Sequence, residues 1–371
     1  MNGYKRWACG LLAAALAVVT LCAAVVYAVD PCFYYRLPAG GQGVFFNERY
    51  QNAGLARNTP ADTVLLGTSL MANYRASDAQ AVFGGTAVKL TLPDGYMSEQ
   101  DATLRAAFHG HHPKRVVLAL DPNILIRDES GLTGALPGYL YNETPLDDVQ
   151  YLLNKDALYY SAYAIFKAAG GEETPLDDAF TWDDTLWWNH ITALDNYERP
   201  EIVPEQTPRD AYLAQTTANL AVVTAWLQAY PDTEFDVFFP PYSILYWDKM
   251  GRLGETAAVL SALEKTCEAL LPYENVKLYS FLTDREIVTD LDGYCDYIHH
   301  SGAVSEAVLR GIQAGENRLT KENYRETLAQ WQGFVIDYDY EVFWDQAYWI
   351  AWNAQKAQEA QEGNAGEAPH L

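Results

Sequence analysis

Asp62-Thr-Val-Leu-Leu-Gly-Thr-Ser-Leu-Met-Ala-Asn73 is a short apolar run that stops at a Gly-Thr-Ser step and then turns helical. Residues 64–66 show no polar alternation, which predicts a strand buried on both faces of a sheet. Gly67 lets the backbone turn sharply, so Ser69 falls at the carboxyl end of that strand, near the amino end of the next helix. In an open α/β sheet ligands bind outside the carboxyl ends of the strands, and a helix amino terminus there favours developing negative charge. Serine is also a good N-cap, so Gly-x-Ser by itself fits an ordinary strand-to-helix turn equally well.

Four more strands are expected at 87–92, 115–121, 234–239 and 276–281, separated by helical stretches such as 98–108, 210–229 and 255–271. This alternation implies right-handed crossovers and a parallel sheet. The expected fold is therefore α/β: a three-layer α/β/α domain over residues 62–319 with a five-stranded, flavodoxin-like parallel sheet.

A serine hydroxyl needs a base within hydrogen-bond reach, and the base needs an orienting acceptor. Of the seven histidines, His370 lies in the tail. His109, His111 and His112 precede the third strand, at the end of the sheet opposite Ser69; they read as loop histidines or a metal cluster. His190 is placed to contact substrate. The remaining pair stands in Asp296-Tyr-Ile-His299-His300-Ser301, an acid three residues ahead of a histidine. With this segment the chain resembles the SGNH/GDSL hydrolase superfamily, whose first block carries the nucleophilic serine and whose last block is Asp-x-x-His. The resemblance covers residues 60 to 315 and implies Ser69 as nucleophile, Asp296 as orienting acid and His299 as base, with no metal and no cofactor. It also implies oxyanion donors at the Ser69 N–H and at Gly95 of Leu92-Pro-Asp-Gly-Tyr96. The third block departs from the family: Leu120-Asp121-Pro122-Asn123 replaces Gly-x-Asn, so Asn123 or Asp121 stands there.

Ahead of the domain, Lys5 and Arg6 precede an uncharged run, residues 7–29, that would span about 34 Å as a helix. It reads as an uncleaved transmembrane anchor with residues 1–6 in the cytoplasm and the domain outside, or as a signal peptide cut after Val26-Tyr27-Ala28. Residues 30–61 read as a stalk that packs on the domain. Within the superfamily, this anchor and the loop Phe238-Phe-Pro-Pro-Tyr-Ser-Ile-Leu-Tyr-Trp247 look most like DltD-type cell-envelope proteins of Gram-positive bacteria. Paired prolines stiffen that loop, whose Tyr242, Ser243 and Trp247 are candidate substrate contacts unless it is simply a capping turn.

Residues 125–208, with an aromatic and irregular stretch at 181–190, interrupt the strand–helix rhythm after the third strand and read as an insertion, either a lid or substrate wall on the side of the site or a structural flap. Residues 320–354 are expected to be helical and 355–371 disordered. The net charge of -24 becomes -26 without Lys5 and Arg6, which argues against nucleic acid as a partner. Outside the anchor three cysteines remain, Cys32, Cys267 and Cys295; a Cys267–Cys295 pair is geometrically open.

The expectation that follows is a single-pass membrane protein, a serine esterase or O-acyltransferase. Its substrates would be acyl esters of envelope polysaccharide, teichoic acid or an acyl carrier, and its partners the bilayer and membrane acyltransferases. The alternative is a non-catalytic envelope protein that keeps the fold as a binding platform.

Overall fold

The computed structural model describes residues 3–132, 136–142, 144–354 and 356. Its central sheet has strands β1 (Thr63–Gly67), β2 (Ala87–Thr91), β3 (Arg115–Ala119), β4 (Glu234–Phe239), β5 (Val276–Ser280) and β6 (Arg318–Leu319), in the order β2-β1-β3-β4-β5-β6. The first five pair in parallel, with Thr63 opposite both Ala87 and Arg115. The sheet is thus six-stranded, not five-stranded: β6 pairs antiparallel with β5 through Leu278 and Leu319. Two residues are too few for any periodicity to register, which is why β6 is invisible in the sequence.

Both faces of the sheet are covered. Alternate side chains point to opposite faces of a strand; Val64, Leu66, Val116, Leu118, Val237 and Phe239 join one apolar cluster, and Leu65, Val117, Ala119 and Phe238 another. Met97–Phe108, Leu213–Ala229 and Thr256–Leu270 bury their apolar sides in the first cluster, while Ala76–Phe83 and Gly302–Ala314 fill the second. Five parallel strands with helices on both faces explain the unbroken apolar runs of the sequence.

The chain leaves β1 toward β2 on one side and later returns to β3 on the other. The crevice between the carboxyl ends of β1 and β3 is therefore a topological switch point, the place where open α/β sheets bind ligands. Ser69 follows β1 and Asp121 follows β3.

Residues 30–61 hold a helix, Glu48–Asn58, that the sequence did not signal. It packs against Met97–Phe108, and its Asn52 donates to the Thr91 carbonyl at 2.8 Å. A Cβ at Gly54 would come within 2.2 Å of the Cys32 carbonyl oxygen, so the chain after the apolar helix crosses this one in backbone contact. The amino-terminal helix itself, Gly3–Val29, is long and apolar enough to cross a membrane or to serve as a signal sequence. All five cysteines are free, and Cys267 and Cys295 are both buried. The aromatic segment after 337 forms a 3-10 turn, Tyr340–Trp344, with Phe343 buried. Apart from Lys356, the expected disordered tail 355–371 lies outside the described residues.

Candidate active site

Gly67 ends β1 where its Cα faces Ala119 of β3; a Cβ there would lie 2.9 Å from the Ala119 Cβ. The chain then enters a 3-10 turn, Ser69–Met71, capped by the Thr68 side chain. Ser69 is the first residue of this turn, so its N–H has no carbonyl partner within it. Thr68 is fixed from two sides: its hydroxyl donates to Asp121 Oδ2 at 3.0 Å, and its carbonyl accepts from Thr91 Oγ1 at 2.7 Å. The carboxyl ends of β1, β2 and β3 are tied together around the serine.

Ser69 Oγ lies 2.9 Å from His299 Nε2, and His299 Nδ1 lies 2.6 Å from Asp296 Oδ2. The other Asp296 oxygen accepts from the backbone N–H groups of Ile298 and His299 at 2.8 and 2.7 Å. The three-residue spacing is thus a tight turn that folds the imidazole back onto its own acid. Burial raises the Asp296 carboxyl, but the His299 ring, its charge and the two N–H groups outweigh this and hold it below the usual carboxylate range. An ionised Asp296 can only accept, so the proton sits on Nδ1 and Nε2 is left to accept from the serine.

His300 has a different fate. It is buried, neither ring nitrogen has a partner among the described residues, and Tyr74 meets it edge-on. Burial, then the neighbouring His299 charge, lowers it from the ordinary 6.5 to about 3. Between those values the unfolded chain holds one proton more than the folded one, so stability falls as the pH falls; above 6.5 both forms are neutral and nothing is lost. Urea unfolding at about pH 7.5 and about pH 5 should show a loss of about 2 kcal/mol that a His300→Phe variant does not share. An equal loss in both proteins would remove His300 as its source.

Asn73, to which the sequence assigned no role, and Trp182, within the insertion expected as a lid or substrate wall, also stand at the candidate site. Asn73, four residues after Ser69, donates from Nδ2 to the His300 carbonyl at 3.0 Å, and its Oδ1 accepts from Thr181 Oγ1 and Trp182 N, both at 3.2 Å. It joins the serine turn, the histidine loop and the insertion. Trp182, held there, meets the His299 ring edge-on at 5.2 Å. Asp183 Oδ1 accepts from Gly302 N at 2.7 Å, and a Cβ on Gly302 would lie 2.4 Å from Asp183 Oδ2. This part of the insertion is a wall of the site; the signal for it was the aromatic stretch 181–190 and the Asn within the first motif.

The remaining candidates are placed otherwise. The Gly95 N–H donates to the Leu92 carbonyl at 2.8 Å, so it is already engaged. Asn123 donates from its backbone to Asp121 Oδ1 at 2.7 Å and from Nδ2 to the Tyr242 hydroxyl at 3.1 Å. Asp121 is buried; burial raises its carboxyl against the hydrogen bonds from Tyr242, Asn123 and Thr68. Tyr242, Ser243 and Trp247 do not reach the surface where a substrate contact was expected, because the loop after β4 folds into the core. Their side is a buttress: Ser243 Oγ donates to the Tyr297 carbonyl at 2.9 Å, and Tyr294 donates to the Pro241 carbonyl at 3.0 Å, supporting the Asp296–His299 turn. His190 is buried too, with Nδ1 2.7 Å from Asp292 Oδ1 and its ring stacked on Trp349 at 3.9 Å. His111 bonds the Arg57 carbonyl at 2.7 Å, and among the described residues no group of three His, Cys, Asp or Glu is arranged to hold a metal.

No family model matches this chain, and no curated protein matches it. Among solved structures, it is similar to one from Streptococcus pneumonia provisionally described as a platelet activating factor. The identity is 12% and the TM-score 0.37, over 77% of this chain and 91% of that one. At that identity and score the similarity is silent on chemistry, which rests on the site's own geometry.

Proposed function

We propose that the protein is a serine hydrolase or O-acyltransferase of SGNH type acting on acyl esters. The observation that carries this reading is the unbroken chain from Ser69 Oγ through the His299 ring to Asp296, at 2.9 and 2.6 Å, in the switch-point crevice. Ser69 attacks the ester carbonyl as its proton passes to His299 Nε2, and Asp296 stabilises the imidazolium that forms. The same proton then goes to the departing alkoxide, leaving the acyl group on Ser69. Water or a second hydroxyl, deprotonated by His299, takes the acyl group off. The Ser69 N–H is one donor for the oxyanion, and the second Asn123 amide hydrogen is the candidate for another.

With Gly3–Val29 as an uncleaved anchor and Lys5 and Arg6 inside, the domain faces outward, so its substrates are acyl esters of an envelope polymer or of a carrier delivered by a membrane acyltransferase. A second reading, a binding platform that does not turn over, is favoured by the engagement of the Gly95 N–H with Leu92. The full-length protein should be given a small activated acyl ester and followed by intact mass, with and without a polysaccharide acceptor. A covalent acyl adduct is expected. Prompt loss of the adduct in water identifies an esterase, and loss only with acceptor a transferase. No adduct with any of several acyl esters would favour the platform.

A further inference from the structure

Part of the insertion joins the amino-terminal helix instead of the serine turn. Its helices Asp148–Leu152 and Lys155–Ala169 pack against Gly3–Val29, the apolar amino-terminal helix. That helix is covered by the rest of the protein only near its end: Val26 is buried, and Cys22, Ala23, Val25 and Val29 are partly covered. Val26 shares an apolar cluster with Tyr151 and Ala157, and a cavity of about 290 Å³ walled mostly by residues 30–44 also touches Ala28, Val29, Ile165 and Ala168. The junction is firmly tied. Asp30, at the end of the helix, accepts from the backbone N–H groups of Tyr34, Tyr35 and Arg36 and from the Tyr151 hydroxyl, all within 3.0 Å.

Helix length fixes where this junction stands. A hydrocarbon core about 30 Å thick takes about 20 residues at 1.5 Å each. Counted from Trp7, directly after Lys5 and Arg6, the core ends at Val26, the residue that the insertion buries. The two insertion helices therefore stand at the outer boundary between hydrocarbon and headgroups rather than above the membrane. They and the Leu153 between them carry large apolar side chains that remain exposed, Val149, Leu153, Tyr159, Ile165 and Phe166, the last 72% exposed. Tyr27 is exposed at the same level, with the Arg36 guanidinium over its ring and donating to the Ala28 carbonyl at 2.9 Å. Exposed tyrosines beside a cationic side chain suit the headgroup layer.

We infer that the insertion helices Asp148–Leu152 and Lys155–Ala169 are seated in the outer leaflet of the bilayer that Gly3–Val29 crosses, fixing the catalytic domain against the membrane surface. The inference rests on the reading of that helix as an uncleaved anchor. Its occupant is lipid, and the attraction is apolar: Asp147, Asp148 and Asp156 on the same stretch make anionic headgroups a poor match.

The test uses the full chain in phosphatidylcholine vesicles, with Cys9→Ser and Cys22→Ser and one nitroxide-labelled cysteine at a time. The labelled variants are Val18→Cys in the middle of the apolar helix, Phe166→Cys on the insertion, and Glu322→Cys beyond β6. Collision with dissolved oxygen is expected to exceed collision with a water-soluble nickel complex at 18 and 166, and the ratio to reverse at 322. A label at 166 that collides mainly with nickel, while 18 remains in lipid, overturns the seating and leaves the anchor intact. A label at 166 shielded from both reagents means that protein covers this face, and also overturns it. Nickel access at 18 overturns the anchor reading, and the seating with it.

Discussion

Ser69→Ala is expected to lower acyl-ester turnover by about four orders of magnitude or more, and to abolish the covalent adduct altogether. In the proposed reaction the side chain supplies the attacking atom, and the hydroxyl that bonds His299 Nε2 among the described residues is that of Ser69. What survives is the contribution of binding and of the oxyanion donors, which the substitution leaves in place. The fold should be unaffected. Ser69 is only partly buried, its one described side-chain bond is to His299, and the turn is held by Thr68, Thr91 and Asp121. Single-turnover kinetics together with thermal melting check both halves. A variant that melts like the parent and turns over at the parent rate would remove Ser69 from the reaction.

The second large effect separates the neighbouring histidines. His299→Ala should cost as much as the serine substitution, because the proton then has nowhere to go. Asp296→Asn should cost about 10³–10⁴-fold. Its amide can donate to Nδ1, which reverses the tautomer and leaves Nε2 carrying a hydrogen that faces Ser69. His300→Ala, by contrast, should lose stability through the cavity it opens beside Tyr74 and Tyr294, yet keep a measurable fraction of its rate per folded molecule. The comparison is made by normalising initial rates to the folded fraction from urea curves. Equal losses in His299→Ala and His300→Ala would move the base assignment.

The parts of this protein that were legible in the sequence were those in which local pattern and tertiary role coincide. Residues 64–66 could be read as a doubly buried strand because a central parallel strand has no polar face. Asp296 and His299 could be read together because a three-residue turn brings them into contact whatever the rest of the chain does. Long-range arrangements were not legible. Tyr242, Ser243 and Trp247 look like pocket residues in sequence, since aromatic and hydroxyl groups serve either a groove or a core; only the direction of the chain after Phe239 decides between them, and it turns inward. The helix Glu48–Asn58 was hidden because its buried residues are Gln51, Asn52, Ala53, Gly54, Leu55 and Ala56, a single large apolar side chain among small and amide ones, which gives almost no apolar period. Asn73 was in plain view four residues after Ser69. Its role depends on two segments that arrive more than a hundred residues later.

Activation of Ser69 as a nucleophile is measured most directly by the intact mass of the full-length protein after treatment with a fluorophosphonate, followed by peptide mapping. This reagent reacts with a serine only where a neighbouring base raises its nucleophilicity. One phosphonyl group on Ser69 is expected, with none on Ser69→Ala and strongly slowed labelling in His299→Ala. An unlabelled parent protein, or a label on any other serine that persists in Ser69→Ala, would contradict it.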